Sequence, residues 1–186
     1  TSETFKGKYL KRLPSSFVWQ NTPLQVYTLS GFSQYFSLPT PLLQAEYSYL
    51  VFLKDGIMKQ QIGADQFEIH APAVVYVPSG TIVSLLDIDV MTKGYFVLIE
   101  DKTMSVVFNN EEALSLFTIF PVLQLGEADN QWIHQLCKMM YSEMIRKKPN
   151  RQVAHGLLLA LFHRIIELSD KRATSSRSMQ IAVLFR

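Results

Sequence analysis

Between Leu24 and Glu100 the chain divides into short runs of β-branched and aromatic residues, each closed by turn-forming residues at roughly ten-residue spacing. "LQVYTL" alternates apolar and polar positions, whereas "YSYLVFL" and "VVYV" are nearly continuous apolar runs. "KDG" at 54–56 and "GAD" at 63–65 have the composition of hairpin turns and bracket a short strand, "IMKQQI". "DQFEIHAPAVVYVPSGTIVSL" continues the pattern with breaks at Pro72 and at Pro78-Ser79-Gly80, and "KGYFVLIE" (93–100) makes the last clear strand. Many short strands with turn chemistry between them restrict the fold to a sandwich or a barrel.

After Asp101 the period changes to that of helices. "KTMSVVF" and "NNEEALSLF" are short helices, the second with Asn109 or Asn110 as N-cap and glutamates in its first turn. Two longer ones follow. In "ADNQWIHQLCKMMYSEMIRKK", Asp129 or Asn130 is placed to cap the start, and Trp132, Ile133, Leu136, Met139, Met140 and Met144 form an apolar stripe. Pro149-Asn150 ends that helix and begins "RQVAHGLLLALFHRIIELSDKR", whose apolar residues 157–162 run right round the axis. Such a helix has to be covered on two sides, here expected to be its own domain and a second body. "KRATSSRS" (171–178) has the composition of a linker, and "MQIAVLFR" opens a new amphipathic pattern.

Composition excludes several classes. A chain of 186 residues with 48% hydrophobic and 18% charged residues can bury a core and is too apolar to be disordered. No apolar run approaches the ~18 residues of a membrane helix, and the basic N-terminus lacks the apolar block of a signal peptide. The single cysteine, Cys137, rules out an internal disulfide and fits a reducing compartment, the cytoplasm. Charge is unevenly distributed: residues 46–129 carry a net of −8, and residues 130–186 a net of +7. The acidic middle repels a phosphate backbone and the basic end does not, although a solvated helical surface rich in Lys and Arg is the better account of the latter.

The order of these elements resembles the AraC-type transcriptional regulators, most clearly in "YSYLVFLKDG", "HAPAVVYVPSGTIVSL", "GYFVLIED" and "RSMQIAVLFR". The resemblance implies a mainly β fold with C-terminal helices: a cupin-like double-stranded β-helix (jelly-roll barrel) followed by a helical pair. It divides the chain into a barrel sensor domain (1–101), a helical dimerisation subdomain (102–170), a linker (171–178) and the start of the first helix of a truncated helix-turn-helix domain (179–186). Metal-binding cupins hold their ion on histidines and a glutamate. Here the glutamate position, seven residues before Gly56, is Tyr49, and the late histidine position is Val83. The upstream histidine pair falls around Leu42 to Ala45, where Gln44 alone is ligand-like, and Pro72 replaces a glycine. With no imidazole, thiolate or carboxylate donor left, neither a metal nor any other cofactor is expected.

By the same analogy the interior is lined by Tyr47, Tyr49, Val51, Val83, Leu85, Phe96 and Leu98, since alternate strand residues share a face. Two phenols and Gln44 would then orient a small-molecule effector, unless these side chains simply fill the barrel. A homodimer is implied, with Leu157, Leu158, Leu161, Phe162 and Ile165 as its contact; burying each is worth about 1.5–3 kcal/mol. The alternative is a helix buried wholly within its own domain. Promoter DNA would be bound through the C-terminal domain beyond Arg186, and no membrane is involved.

Other chemistry finds little support. His155 and His163 are eight apart on one helix, too far for joint chelation, and His70 and His134 lie on other elements. Cys137 reads as a buried small hydrophobe. No nucleophile elbow or phosphate loop is present. The rival readings are a metal-independent cupin enzyme, such as a sugar isomerase or epimerase, and a barrel that scaffolds a complex.

Overall fold

Strands form where the apolar and aromatic runs lie, and turns where glycine and proline interrupt them. The computed structural model describes residues 22–30 and 37–184, with the backbone alone for Asn110 and for 175–184. In chain order the elements are β1 (Leu24–Thr28), β2 (Leu43–Gln44), β3 (Ser48–Asp55), β4 (Ile57–Ile62), β5 (Asp65–His70), β6 (Ala73–Val77), β7 (Ile82–Ile88), β8 (Lys93–Ile99), α1 (Asp101–Val107), α2 (Asn110–Leu116), β9 (Val122–Gln124), α3 (Glu127–Met144) and α4 (Arg151–Leu184).

The strands make two antiparallel sheets, ordered β1-β8-β3-β6-β9 and β2-β7-β4-β5. From β3 to β8 every connection changes sheet except the β4–β5 hairpin, in which Ile62 pairs with Asp65 across Gly63-Ala64. A chain that alternates in this way winds two sheets face to face. This is the jelly-roll double-stranded β-helix that the family resemblance implies.

The two sheets have different burial patterns for a physical reason. In β3 six consecutive residues, Ser48 to Leu53, are buried. Tyr49, Val51 and Leu53 face the barrel interior, while Leu50 and Phe52 join the core formed with the helices. In β8, likewise, Phe96 and Leu98 face inward, and Val97 and Ile99 face the helices. A sheet covered on both faces reads as an unbroken apolar run. β4, in the other sheet, alternates: Met58, Gln60 and Ile62 are buried, and Ile57 and Lys59 are exposed.

Against the outer face of the first sheet lie Ile133, Leu136, Cys137 and Met140 of α3, with Leu158, Leu161, Phe162 and Ile165 of α4. Phe162 meets Tyr76 and Phe108 edge-on, with ring centroids 5.1 and 5.2 Å away. Arg164 of α4 holds Asp129 of α3 through Nε at 2.9 Å and Nη2 at 2.5 Å. At the α3–α4 turn, the Asn150 amide donates to Glu143 Oε1 at 2.6 Å, and Asn150 Oδ1 accepts from the Gln152 amide at 3.0 Å to cap α4. α2 begins with a full capping box between Asn109 and Glu112.

Several expectations need correction here. Leu158, Leu161, Phe162 and Ile165 are fully buried inside the chain's own core, and Leu157 is half-buried against it, so they do not form a free dimer contact. The second cover that the all-round apolar helix requires comes from the same chain. Phe108, Leu116 and Ile119, in and after α1 and α2, close over α4. α3 starts at Glu127 with Gly126 as N-cap, so Asp129 and Asn130 lie in its first turn. Trp132 and Met139, expected in the buried stripe, are 42% and 49% exposed. The segment 171–178 is helical: α4 runs through it unbroken to Leu184. It contains neither glycine nor proline, so nothing in its backbone chemistry interrupts a helix.

β9 has no counterpart in the sequence reading. It pairs with β6 in the register Val74↔Leu123, adding a strand from the helical half to the barrel's own sheet.

Candidate functional site

The barrel interior is built in layers fixed by strand register. One row across the first sheet is Gln25, Leu98, Tyr49 and Val77; the next is Tyr27, Phe96, Val51 and Val75. From the facing sheet come Leu43, Val83 and Ile62 in one row, and Leu85, Gln60 and Phe67 in another. Tyr49 and Phe96 pack with ring centroids 5.6 Å apart.

Most of this lining is apolar, with two polar pairs set into it. Tyr27 Oη donates to Gln25 Oε1 at 2.9 Å, and Gln25 Nε2 donates to the Thr22 carbonyl at 2.9 Å. In the second pair Gln60 Nε2 donates to Tyr49 Oη, joining the two sheets through the interior. Both partners are buried. Burial raises the Tyr49 phenol well above its ordinary value, against a smaller opposing effect of the Gln60 hydrogen bond. Tyr49 is therefore a neutral hydroxyl over the whole physiological range, able to donate a proton in a hydrogen bond.

The lining is not sealed. Leu43, Leu85, Phe96 and Leu98 face the interior yet are only half-buried. Solvent therefore reaches part of the inward-facing lining.

Tyr49 and Val83, placed inward by the family analogy, and Val51, Leu85, Phe96 and Leu98, added by strand parity, converge in this interior. Two others do not. Gln44 is exposed, its Nε2 donating to the Gly80 carbonyl at 3.1 Å, and Leu43 takes the inward place instead. β2 pairs Leu43 with Val83, and strand alternation then turns Gln44 outward. Tyr47 is half-buried in the bend before β3 and stands outside the interior cluster, because alternation holds only from Ser48 onward. Gln60 was missed, although its place between Met58 and Ile62 in "IMKQQI" puts it on their face. Gln25 and Tyr27 were legible in the same way.

The Pro78-Ser79-Gly80 turn is tied to its surroundings on three sides. The Gly80 amide donates to the Ala45 carbonyl at 2.8 Å, the Ser79 amide to Ser48 Oγ at 3.1 Å, and Ser79 Oγ to Asp101 Oδ2 at 3.4 Å. It thereby fixes the start of β7 and directs Val83 inward. Among the described residues, no three His, Cys, Asp or Glu gather where one ion could be held. Among the described residues, the buried polar side chains on the strands are Gln25, Ser48, Gln60 and Ser84. Also among the described residues, no helix is long and apolar enough to cross a membrane.

No family model matches this chain, and no curated protein is similar to it in sequence. Solved structures do resemble it. Apo ToxT from Vibrio cholerae, an AraC-family regulator, has 12% identity over 77% of this chain and 54% of its own, with a TM-score of 0.48. Wild-type ToxT bound to an unsaturated fatty acid has 15% identity over 84% of this chain and 57% of its own, with a TM-score of 0.47. A cupin family protein with a double-stranded β-helix fold from Methanocaldococcus jannaschii has 17% identity over 43% of this chain and 72% of its own, with a TM-score of 0.32. The chain thus spans little more than half the length of the ToxT structures. The likeness is one of fold.

Proposed function

We propose that this chain is the effector-sensing part of an AraC-type transcriptional regulator, with the barrel interior as a small-molecule receptor. The observation that carries the reading is the inner lining: an apolar surface, partly accessible to solvent, with the Tyr49–Gln60 pair set into it and, among the described residues, no Asp, Glu, His or Lys buried on the strands. Such a surface can hold a guest and fix its orientation, but it offers nothing to transfer a proton to or from carbon. The rival reading, a metal-independent isomerase or epimerase, needs a general base. Among the described residues the interior cluster supplies only phenols and amides.

The partners follow from the same resemblance. A DNA-binding unit joined to α4 would contact the promoter, and effector binding would bias how that unit is presented. A homodimer has to be built on side chains other than the buried face of α4. Thermal-shift measurements on the 186-residue chain against a metabolite library test the receptor reading. Val83→Trp, which fills the interior, should abolish any shift that a hit produces. A library without a hit, or hits that Val83→Trp leaves untouched, would overturn it. For the regulatory part, the protein extended beyond Arg186 should bind DNA, with an affinity that changes on adding a hit.

A further inference from the structure

Resting on the receptor reading above, we infer that the guest is an uncharged, largely apolar molecule carrying one hydrogen-bond acceptor, such as a carbonyl oxygen, which meets the Tyr49 hydroxyl. The two interior tyrosine–glutamine pairs differ in one respect. The Gln25 pair is closed: the Tyr27 proton goes to Gln25, and the Gln25 amide goes to the Thr22 carbonyl. The Tyr49 pair is open. Gln60 donates to the phenol oxygen, and the phenol's own proton has no acceptor among the described residues. Reversing the Gln60 amide only moves the vacancy, because the phenol then donates to Gln60 and both amide protons are left over. Either way a buried donor waits for an acceptor, in a protein interior where such groups are normally paired.

The charge of the guest follows from what surrounds that donor. Val51, Val77, Val83, Leu85, Phe96 and Leu98 share the interior with it, and the buried polar side chains among the described residues include no Lys, Arg or His. A carboxylate or phosphate placed there would lose its water without gaining a counter-ion, which is heavily unfavourable. A cationic guest would likewise lose its water, and among the described residues no carboxylate is buried on the strands to pair with it. A neutral carbonyl satisfies the open donor at no such penalty.

Displacement of the neutral fluorophore Nile red from the 186-residue chain tests this, with 2-octanone, octane and octanoate as competitors at neutral pH. The ketone should compete about five- to tenfold better than octane, the worth of one buried hydrogen bond, and better than octanoate. Tyr49→Phe should bring the ketone's advantage over octane down to nothing, and Gln60→Met, which retains the phenol, should keep at least part of it. Octanoate as the strongest competitor, equal competition by ketone and alkane, or a ketone advantage that survives Tyr49→Phe would each overturn the ligand class and leave the receptor reading standing. Failure of Nile red and of all three competitors to bind would overturn both.

Discussion

Gly94 shows how closely single residues are constrained in this barrel. Its φ is +150°, and a Cβ at that position would lie 1.8 Å from the Phe52 carbonyl oxygen on β3. Gly94→Ala therefore cannot be accommodated without pulling β8 from β3, and a loss of at least about 3 kcal/mol in urea unfolding is expected. Gly80 makes the useful contrast. It also has a positive φ, +87°, but nothing lies within 4 Å of an added Cβ. Gly80→Ala should lose only the backbone preference, about 1–2 kcal/mol. At the α3–α4 turn, Glu143 adds a pH dependence. The Asn150 amide first, and Arg146 second, hold its carboxyl below the usual carboxylate range. A carboxylate with a lowered folded-state pKa contributes stability that is complete above its unfolded value of ~4.3 and disappears as pH falls through the lower folded value. Urea titrations from neutral pH into that acidic window should show Glu143→Gln losing less stability than the parent.

At the scale of elements, the sequence-level reading succeeded where one face of an element was wet and failed where both were covered. The alternation in "IMKQQI" matches a strand with one exposed face, and β4 occupies those residues. The all-round apolar stretch in α4 implied two covers correctly, but periodicity cannot say whether a cover belongs to the same chain. Here α1, α2 and the segment after them supply it. The consequence is measurable: Leu161→Ala should lower stability by about 2–5 kcal/mol through the cavity it leaves, without changing the sedimentation coefficient of the folded protein. β9 was illegible because three residues after a proline carry no period, and it is a strand only because β6 has a free edge to offer. Its hold on α4 is specific. Arg172 donates to the Val122 carbonyl and lies 5.0 Å over the Phe120 ring, while the Phe120 amide donates to Ser169 Oγ at 3.0 Å. Arg172→Ala should raise amide hydrogen exchange in β9 and in the segment leading into it, with the β3–β8 amides unchanged.

For the molecule as a whole, the order of strands and the parity of their faces were readable, because a barrel imposes an inside and an outside on every strand. That parity extended the analogy to most of the interior and failed at Tyr47, which lies in the bend before β3; Gln44, named from the family analogy alone, is turned outward by the Leu43–Val83 pairing. The open Tyr49–Gln60 pair was half visible: the phenol was placed inward, but its amide partner comes from the opposite sheet, a relation no local pattern encodes. A guest that uses this pair should protect the entire fold, not one loop. At a hundredfold excess over its dissociation constant it should add about 2.7 kcal/mol, visible as one upward-shifted melting transition.

The first sheet is shared, its strands alternating between the interior and the helices residue by residue. Only one thickness of polypeptide separates a molecule lodged beside Val51 and Phe96 from α3 and α4. Whatever spreads those two side chains must displace the peptide groups that also carry Leu50 and Val97, on which the helices rest. A partition so thin works like a drumhead: pressure from within is felt outside with no relay of dedicated residues, and mutations that alter the response should be scattered over the sheet instead of strung along a path.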